Sequence, residues 1–360
     1  MTDLIRDIFS YIVDLGILVF FHELGHYLAA RSQGVVVEAF SIGFGPALMS
    51  WKAKSGTVWK ISALPLGGYV KMQGWGEANN DAPAPPGSFS ACSVGSKALI
   101  VAAGPLANLV LAFVLFVGLF MSVGQVVVQP VLSTILPHSP AAVAGLQPGD
   151  RVLAVDGRKI DNFTQLQAIV MVHPDATVTM TLNRHGQTVT QPVALGAVTA
   201  DGTKMGQLGV IGADSRLQRY SPPGAVVAAA KETYRETTMM LAGLYRLIVH
   251  HQGLNQLAGP LGIAQISGKV AAMGIISDVN LIALLSINLG LINLVPIPVL
   301  DGGHLLFYAA EAIYRRPIPP RAQDIGLRFG IAIILSLFFV TTLNDLTRLG
   351  AVHWVVHLFG

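Results

Sequence analysis

Residues 15–26 read Leu-Gly-Ile-Leu-Val-Phe-Phe-His-Glu-Leu-Gly-His, and this stretch predicts a metal site inside a membrane helix. Residues four apart on a helix lie on one face, so the imidazoles of His22 and His26 can reach one zinc ion. Glu23 then lies beside the metal, where a carboxylate can take a proton from water. Ionisable groups are costly inside a bilayer, so their presence in this apolar stretch indicates a functional site.

The composition is that of a membrane protein with one long polar section. The 360 residues are 52% hydrophobic and 12% charged, whereas ordinary soluble proteins are about 25% charged. The net charge is only +3 and there is no basic run, so we expect no nucleic-acid partner. The single cysteine, Cys92, excludes an intramolecular disulfide and a cysteine-based zinc site.

Four apolar stretches are predicted to cross the bilayer, since a crossing takes about 20 residues. They cover residues 5–30, 98–123, 279–300 and 325–343. The first is not a removable signal peptide, because acidic residues interrupt it and no small-residue cleavage site follows. A further apolar stretch, 261–276, is broken by glycines and is predicted to be interfacial or re-entrant.

The sections between these spans differ in character. Residues 37–72 alternate in polarity and carry Gly and Pro, which predicts a membrane-associated β-hairpin loop with a hairpin at 64–72. Residues 125–215 predict a small α+β domain that includes a strand at 151–155. An amphipathic helix is predicted over 224–251.

The order of the elements in 125–215 and the turn Pro148-Gly149-Asp150 resemble a PDZ domain of the bacterial protease type, present in one copy. Such domains bind peptides by adding a strand to a sheet edge, so a C-terminal peptide is a candidate partner. We therefore predict a polytopic α-helical membrane protein with about four transmembrane helices, a membrane-associated β-hairpin loop and one inserted α+β PDZ domain. Its predicted parts are 1–124 (first half of the membrane core), 125–215 (PDZ domain), 216–276 (interfacial linker helices) and 277–360 (second half of the core).

Loop charges predict the orientation in the membrane. The loops after the first and third spans are rich in Lys and Arg, so both are predicted to be cytoplasmic. The PDZ-like section then lies on the extracytoplasmic side. The first and third spans run from outside to inside, which puts His22, His26 and Asp301 at similar depth.

A catalytic zinc site needs about three protein ligands and one open position. Asp301 is the best third candidate, because Pro296 and Pro298 interrupt helical hydrogen bonding just before it. Irregular backbone at membrane depth is tolerated only where it is buried in protein or lines a wet cavity. His304, three residues further on, is a rival ligand.

In combination, these motifs resemble the site-2 protease family of intramembrane zinc metalloproteases, and most of all its bacterial regulator of sigma-E protease branch in a single-PDZ form. The resemblance covers nearly the whole chain. It is carried by His22-Glu23-x-x-His26, Gly67-Gly68-Tyr69-Val70, Gly104-Pro105-Leu106-Ala107-Asn108, the PDZ-like domain, Gly259-Pro260-Leu261-Gly262-Ile263-Ala264 and Asn293-x-x-Pro296-x-Pro298-x-Leu300-Asp301-Gly302.

The resemblance implies a site and its chemistry. It implies that His22, His26 and Asp301 bind Zn²⁺. It implies that Glu23 is the catalytic base and that Asn293 holds substrate or stabilises the oxyanion.

The resemblance also implies a substrate class and a location. Members of the family cut single-pass membrane proteins, often anti-sigma factors, after another protease has removed the extracytoplasmic part. The segment with Gly67, Gly68 and Tyr69 resembles the family's membrane-reentrant β-loop, which pairs with an unwound substrate. The implied location is the bacterial inner membrane, with the active site towards the cytoplasm, and the implied role is regulated intramembrane proteolysis in a stress response.

Two other functions stay open at this level. A catalytically inactive membrane scaffold would bind the C-termini of other proteins through the PDZ-like domain and hold a structural zinc ion. Glu23 argues against this function, because a structural zinc site needs no base. A metal transporter would need acidic or His residues along a path, whereas the candidates here cluster at one depth.

Overall fold

The computed structural model describes residues 2–75, 85–200, 203–212, 215–250 and 258–348. The helices, in chain order, are α1 (Thr2–Ser32), α2 (Val94–Ser122), α3 (Pro140–Val143), α4 (Phe163–Met171), α5 (Pro222–His250), α6 (Pro260–Ala272), α7 (Ile275–Asn293), α8 (Asp301–Tyr314) and α9 (Pro320–Arg348).

The strands are β1 (Val37–Lys52), β2 (Val58–Met72), β3 (Gln125–Val128), β4 (Leu132–Ile135), β5 (Arg151–Val155), β6 (Arg158–Lys159), β7 (Thr177–Arg184), β8 (Gln187–Ala194), β9 (Gly196–Ala200), β10 (Thr203–Gln207), β11 (Val210–Gly212) and β12 (Ser215–Gln218). The chain divides into two compact units, one made of Met1–Leu119 with Gly224–Gly360 and the other of Phe120–Pro223.

Four helices of the described residues are long and apolar enough to cross a membrane, as predicted. They are Ile5–Ser32, Val94–Ser122, Ile275–Asn293 and Pro320–Thr347. The predicted third span, 279–300, is wrong at its end, because α7 stops at Asn293. Pro296 and Pro298 have no N–H to donate, so the helix cannot continue through them, and a non-helical segment leads to α8.

The hairpin of β1 and β2 is more elaborate than the sequence indicates. Both strands bend, and residues 39–42 lie between two stretches of β2, 58–61 on one side and 68–71 on the other. Residues 68–71 therefore form an outer edge, and the described residues place no further strand beside it. The partners of 39–42 rise from 58 to 61 on one side and fall from 71 to 68 on the other, so the chain reverses between residues 62 and 68 as well as at 53–57. The turn predicted near 64–68 is therefore present, but the stretches on either side of it do not pair with each other, because 39–42 lies between them.

The reversal between residues 62 and 68 explains why β2 carries proline and glycine there. Pro65 has no N–H for a strand partner, and proline within a sheet is confined to edges and bulges. Gly67 has a φ of +147°, which a residue with a side chain rarely adopts. The segment between residues 62 and 68 is therefore the turn that joins the two stretches of β2.

The apolar stretch 261–276 forms the helix α6 and the start of α7. α6 packs closely on α1, since an added Cβ at Gly268 would overlap the side chain and Cα of Asp7. Asp345 of α9 is buried and accepts hydrogen bonds from the backbone N–H groups of Gly259 (3.0 Å) and Gly262 (2.8 Å). A carboxylate thus caps the first turn of α6 and ties it to α9.

The second unit contains the elements that the sequence predicts for it. Its main sheet has the order β6-β5-β7-β8. Val178, Met180 and Leu182 of β7 are 2%, 0% and 0% exposed, as the alternation predicts. A cavity of about 230 Å³ lies between α4 and residues 206–210.

A buried ion pair stabilises the turn before β5. Asp150 is buried and accepts hydrogen bonds from Arg184 Nε (2.8 Å) and Arg184 Nη2 (2.6 Å) and from the backbone N–H of Gln147 (2.8 Å). Burial by itself raises the pKa of the Asp150 carboxyl, but these hydrogen bonds outweigh it and hold the pKa below its usual value.

Candidate metal centre

Two histidines and an aspartate converge on one point in the first unit. His22 and His26 lie one turn apart on α1, and their Nε2 atoms are 3.2 Å apart. Asp301 Oδ2 lies 3.1 Å from His22 Nε2 and 3.5 Å from His26 Nε2. Of the His, Cys, Asp and Glu side chains in the described ranges, only these form a group of three close enough to share a metal ion.

The spacing of the three donor atoms fits zinc. Bonds of about 2.0–2.2 Å in a tetrahedral zinc site put neighbouring donor atoms roughly 3.3–3.6 Å apart. The separations of 3.1, 3.2 and 3.5 Å are close to that range. Three protein donors also leave one tetrahedral position open, as in catalytic sites.

The hydrogen bonding of these groups indicates a cation as well. His26 Nδ1 lies 2.9 Å from the carbonyl oxygen of Ile100, which can only accept, so Nδ1 carries the proton. In the neutral ring, His26 Nε2 therefore presents a lone pair to Asp301 Oδ2, which lies 3.5 Å away. Lone pairs that face each other in a buried site repel unless a cation lies between them, and Zn²⁺ satisfies this arrangement.

Helix α2 passes very close to the histidines because it carries glycine at the crossing. An added Cβ at Gly104 would lie 2.2 Å from His26 Nε2, and one at Gly25 would lie 2.3 Å from the backbone oxygen of Ala103. On the other side of the pair, Asn108 Nδ2 lies 3.3 Å from His22 Nδ1. α2 thus contacts the Nδ1 atom of both histidines.

Glu23 is held between α1 and the edge segment of β2. An added Cβ at Gly68 would lie 3.0 Å from Glu23 Cγ and 2.7 Å from Val19 Cγ1, so the strand crosses directly over this part of the helix. The Glu23 carboxyl also interacts with the backbone of Val70. The same strand that forms the open edge therefore borders the acid next to the histidines.

The segment 294–300 positions Asp301 beside the histidines. Asp301 is the first residue of α8, and the segment before it packs tightly on that helix start. Added Cβ atoms at Gly302 and Gly303 would lie 2.3 Å from the backbone oxygen of Leu294 and 2.4 Å from that of Ile297. Glycine at both positions allows this approach.

His304 lies away from this group. Its ring packs edge-on against Trp75, with 5.6 Å between the ring centroids. The structure therefore favours Asp301 over its rival as the third donor.

The other residues singled out in the sequence lie around the centre. Asn293 is the last residue of α7, directly before the segment that leads to Asp301. Tyr69 stacks on Phe44 within the hairpin, with 6.1 Å between ring centroids and 16° between planes, and the Phe44 ring also lies against Gly67.

Sequence reasoning missed the contacts from α2. Ile100 contacts His26 through its backbone carbonyl, which no side-chain motif can indicate. Asn108, which contacts His22, was named in the sequence only as part of a motif that resembles the family. The available signal was Gly104-Pro105 inside an otherwise apolar helix, since glycine there indicates close approach of another element.

Comparison with known proteins gives a match over most of the chain. The model of "Peptidase family M50" matches residues 10–337. A protein of Rhizobium meliloti (strain 1021), named "Putative zinc metalloprotease", is 40% identical over 94% of this chain and 96% of its own length. A protein of Caulobacter vibrioides named "Metalloprotease MmpA" is 34% identical over 97% of this chain and 98% of its own.

Among solved structures, the chain is similar to the PDZ domain of an SdrC-like protein from Listeria innocua. The match covers 25% of this chain and 99% of that domain, at 14% identity and a TM-score of 0.22.

Proposed function

This chain belongs to peptidase family M50 and is a zinc metalloendopeptidase, and we propose that it cuts transmembrane segments of single-pass membrane proteins inside the bilayer. The observation that carries the proposal is the position of the donor group. Two of its three members lie within the apolar helix Ile5–Ser32, and the third follows the apolar helix Ile275–Asn293. A peptidase centre so placed has membrane segments as its nearest substrates.

We assign His22, His26 and Asp301 as the zinc ligands. When bound, zinc lowers the pKa of a water molecule and polarises the carbonyl of the bond to be cut. Close packing at glycine supports each ligand. The helix with His22 and His26 packs against α2 at Gly25, and the helix that begins with Asp301 packs against the 294–300 segment at Gly302 and Gly303.

Glu23 is the general base in this proposal. It follows His22 directly on α1, its side chain is half-buried, and the Gly68 part of β2 lies against it. It takes a proton from the attacking water and passes it to the leaving amine. Asn293 lies before the segment that carries Asp301 and would hold the substrate backbone or its oxyanion.

The open edge of β2 is the proposed substrate-binding strand. A helical substrate hides its carbonyls in hydrogen bonds and must unwind before it is cut. In the described part of the chain no further strand lies beside residues 68–70, which include Gly68 and Tyr69 and run next to Glu23, and Gly67 adjoins them. Backbone pairing there would hold the unwound segment next to the base.

The second unit is proposed to act as a PDZ domain. The cavity is lined by residues of α4, among them Leu166 and Val170, and by residues 206–210. This is a suitable site for a peptide C-terminus that adds a strand. Such a domain would recognise substrates that another protease has already trimmed, for example anti-sigma factors.

The proposed location is the bacterial inner membrane, with the active site towards the cytoplasm and the PDZ domain on the extracytoplasmic side. The basic loops after the first and third spans support this orientation. Regulated intramembrane proteolysis in a stress response is the role that this arrangement suits.

The test is co-expression with a tagged single-pass substrate that is already trimmed on its outer side. Wild type should release a shorter fragment, and Glu23→Gln should lower the cleavage rate by about 10²–10⁴-fold, the usual contribution of a general base. Glu23→Gln should keep its zinc, measured by metal analysis, because the three ligands remain. Cleavage by Glu23→Gln at the wild-type rate would refute the base assignment.

A further inference from the structure

The two histidines of the centre are asymmetric in the partner that each ring finds on α2. His26 Nδ1 faces the Ile100 carbonyl oxygen, which leaves its Nε2 free to bind a metal. His22 Nδ1 faces the side-chain amide of Asn108 at 3.3 Å. An amide, unlike a carbonyl, can present either a donor or an acceptor, so the protonation of His22 depends on which way the amide is turned.

The two orientations of the Asn108 amide have opposite consequences. If its NH₂ group donates to His22 Nδ1, the proton of the neutral ring lies on Nε2 and blocks the metal site. If its oxygen accepts from Nδ1–H, Nε2 keeps its lone pair and can bind. The two orientations have the same shape and are not distinguished by the heavy-atom positions.

Nothing else in the described part of the chain determines the orientation. Asn108 is fully buried, and the amide atom that points away from His22 has no hydrogen-bond partner there. Among the described residues, the His22 imidazole is the only group with which this side chain forms a hydrogen bond. The orientation of the Asn108 amide therefore depends on the protonation of His22. When a metal binds His22 Nε2, the proton of the ring lies on Nδ1, and the amide oxygen must face it to accept the hydrogen bond.

The position of Asn108 is fixed from a third helix. Ser286 of α7 is fully buried and donates a 2.8 Å hydrogen bond to the backbone oxygen of Asn108. Gly290, one turn further along α7, leaves room for the Asn108 Cβ, which would lie 3.4 Å from an added Cβ at Gly290. α7 thus packs closely against this part of α2.

We propose that Asn108 is a positioning residue of the metal centre. Its side-chain oxygen accepts the Nδ1–H of His22 and holds His22 in the tautomer whose Nε2 can bind zinc, as the Ile100 carbonyl does for His26. Partners of this kind raise metal affinity by about 10–100-fold in other proteins. The inference rests on the proposed zinc site.

The test measures zinc affinity, not proteolysis, in the purified full chain. Zinc is removed, and the dissociation constant is then measured by competition with a chromophoric chelator for wild type, Asn108→Leu and Asn108→Asp. Leucine has a similar volume and no polar atom, so we expect affinity to fall by about 10–100-fold. Aspartate presents only acceptor oxygens when ionised, so Asn108→Asp should keep the wild-type affinity or exceed it.

A matched control separates positioning from packing. Leu111→Ala removes a buried apolar side chain one turn further along α2 and leaves the Asn108 amide and its backbone hydrogen bond in place, so its zinc affinity should equal that of wild type. Thermal unfolding of the zinc-free variants checks that each is folded.

Each contrary result overturns a defined statement. Wild-type affinity in Asn108→Leu, an equal loss in Asn108→Asp and Asn108→Leu, or an equal loss in the packing control Leu111→Ala overturns the positioning role. A folded wild-type chain that binds no zinc overturns the proposed zinc site itself.

Discussion

Replacing Gly104 by alanine should disable the metal centre by moving one ring. The added Cβ would lie 2.2 Å from His26 Nε2 and 2.5 Å from His26 Cε1, whereas ordinary contacts begin at 3.4 Å. The ring and α2 must therefore separate by about 1.2 Å, the difference between 3.4 and 2.2 Å. Ligand distances in metal sites hold to about 0.2 Å, so His26 would be lost as a ligand.

The expected result is a loss of zinc affinity of at least about 100-fold, the upper range for disturbing a ligand's support. The assay is metal analysis of the purified chain, followed by chelator competition. Gly118→Ala on the same helix is the control, because nothing lies within 4 Å of its added Cβ. That variant should keep its zinc and gain up to about 1 kcal/mol of helix propensity.

Overpacking costs about 1–3 kcal/mol, so the thermal unfolding of zinc-free Gly104→Ala must be compared with that of zinc-free wild type. If the folded Gly104→Ala variant binds zinc as tightly as wild type, His26 Nε2 is not a ligand in the position described, and the reasoning fails.

Two further predictions concern other parts of the molecule. Asp301→Ala should lower the zinc content of the purified chain whereas His304→Ala should not, because His304 packs on Trp75 and not on the donor group; the reverse result would reassign the third ligand. Arg184→Met should destabilise residues 120–223 at neutral pH, since it removes the partner that holds the pKa of Asp150 down. A carboxyl with a lowered folded-state pKa stabilises above its unfolded value of about 3.9 and loses this effect as the pH falls through the folded value. The difference between wild type and Arg184→Met in chemical unfolding of that unit should therefore shrink below about pH 4, and a difference independent of pH would contradict the assignment.

The sequence was most informative where one residue type has one physical consequence. Histidines four apart on a helix must share a face, and two prolines must end helical hydrogen bonding, so the His22–His26 pair and the break after α7 could both be predicted. The break was placed seven residues too late in the predicted span, because the apolar residues between Asn293 and Leu300 continue the hydropathy of the helix without its hydrogen bonds.

In the hairpin of β1 and β2, the pairing of the strands depends on the tertiary structure. Leu64-Pro65-Leu66-Gly67-Gly68 carries the residues of a turn, and the prediction of a turn there followed from propensity alone. The chain does reverse between residues 62 and 68, but the stretches on either side of this turn pair with 39–42 and not with each other, and the crossing over α1 requires glycine at Gly68.

Sequence by itself determined the membrane class, the four apolar helices, the elements of the second unit and the three candidate zinc donors, because these depend on periodicity, composition and residue chemistry. Only the tertiary structure decided how the donors are supported. The approach of α2 to both histidines, the crossing of β2 over Glu23 and the packing of His304 on Trp75 are contacts between segments far apart in the chain. Such contacts arise from the close packing of backbone at glycines and leave no periodic pattern in the sequence.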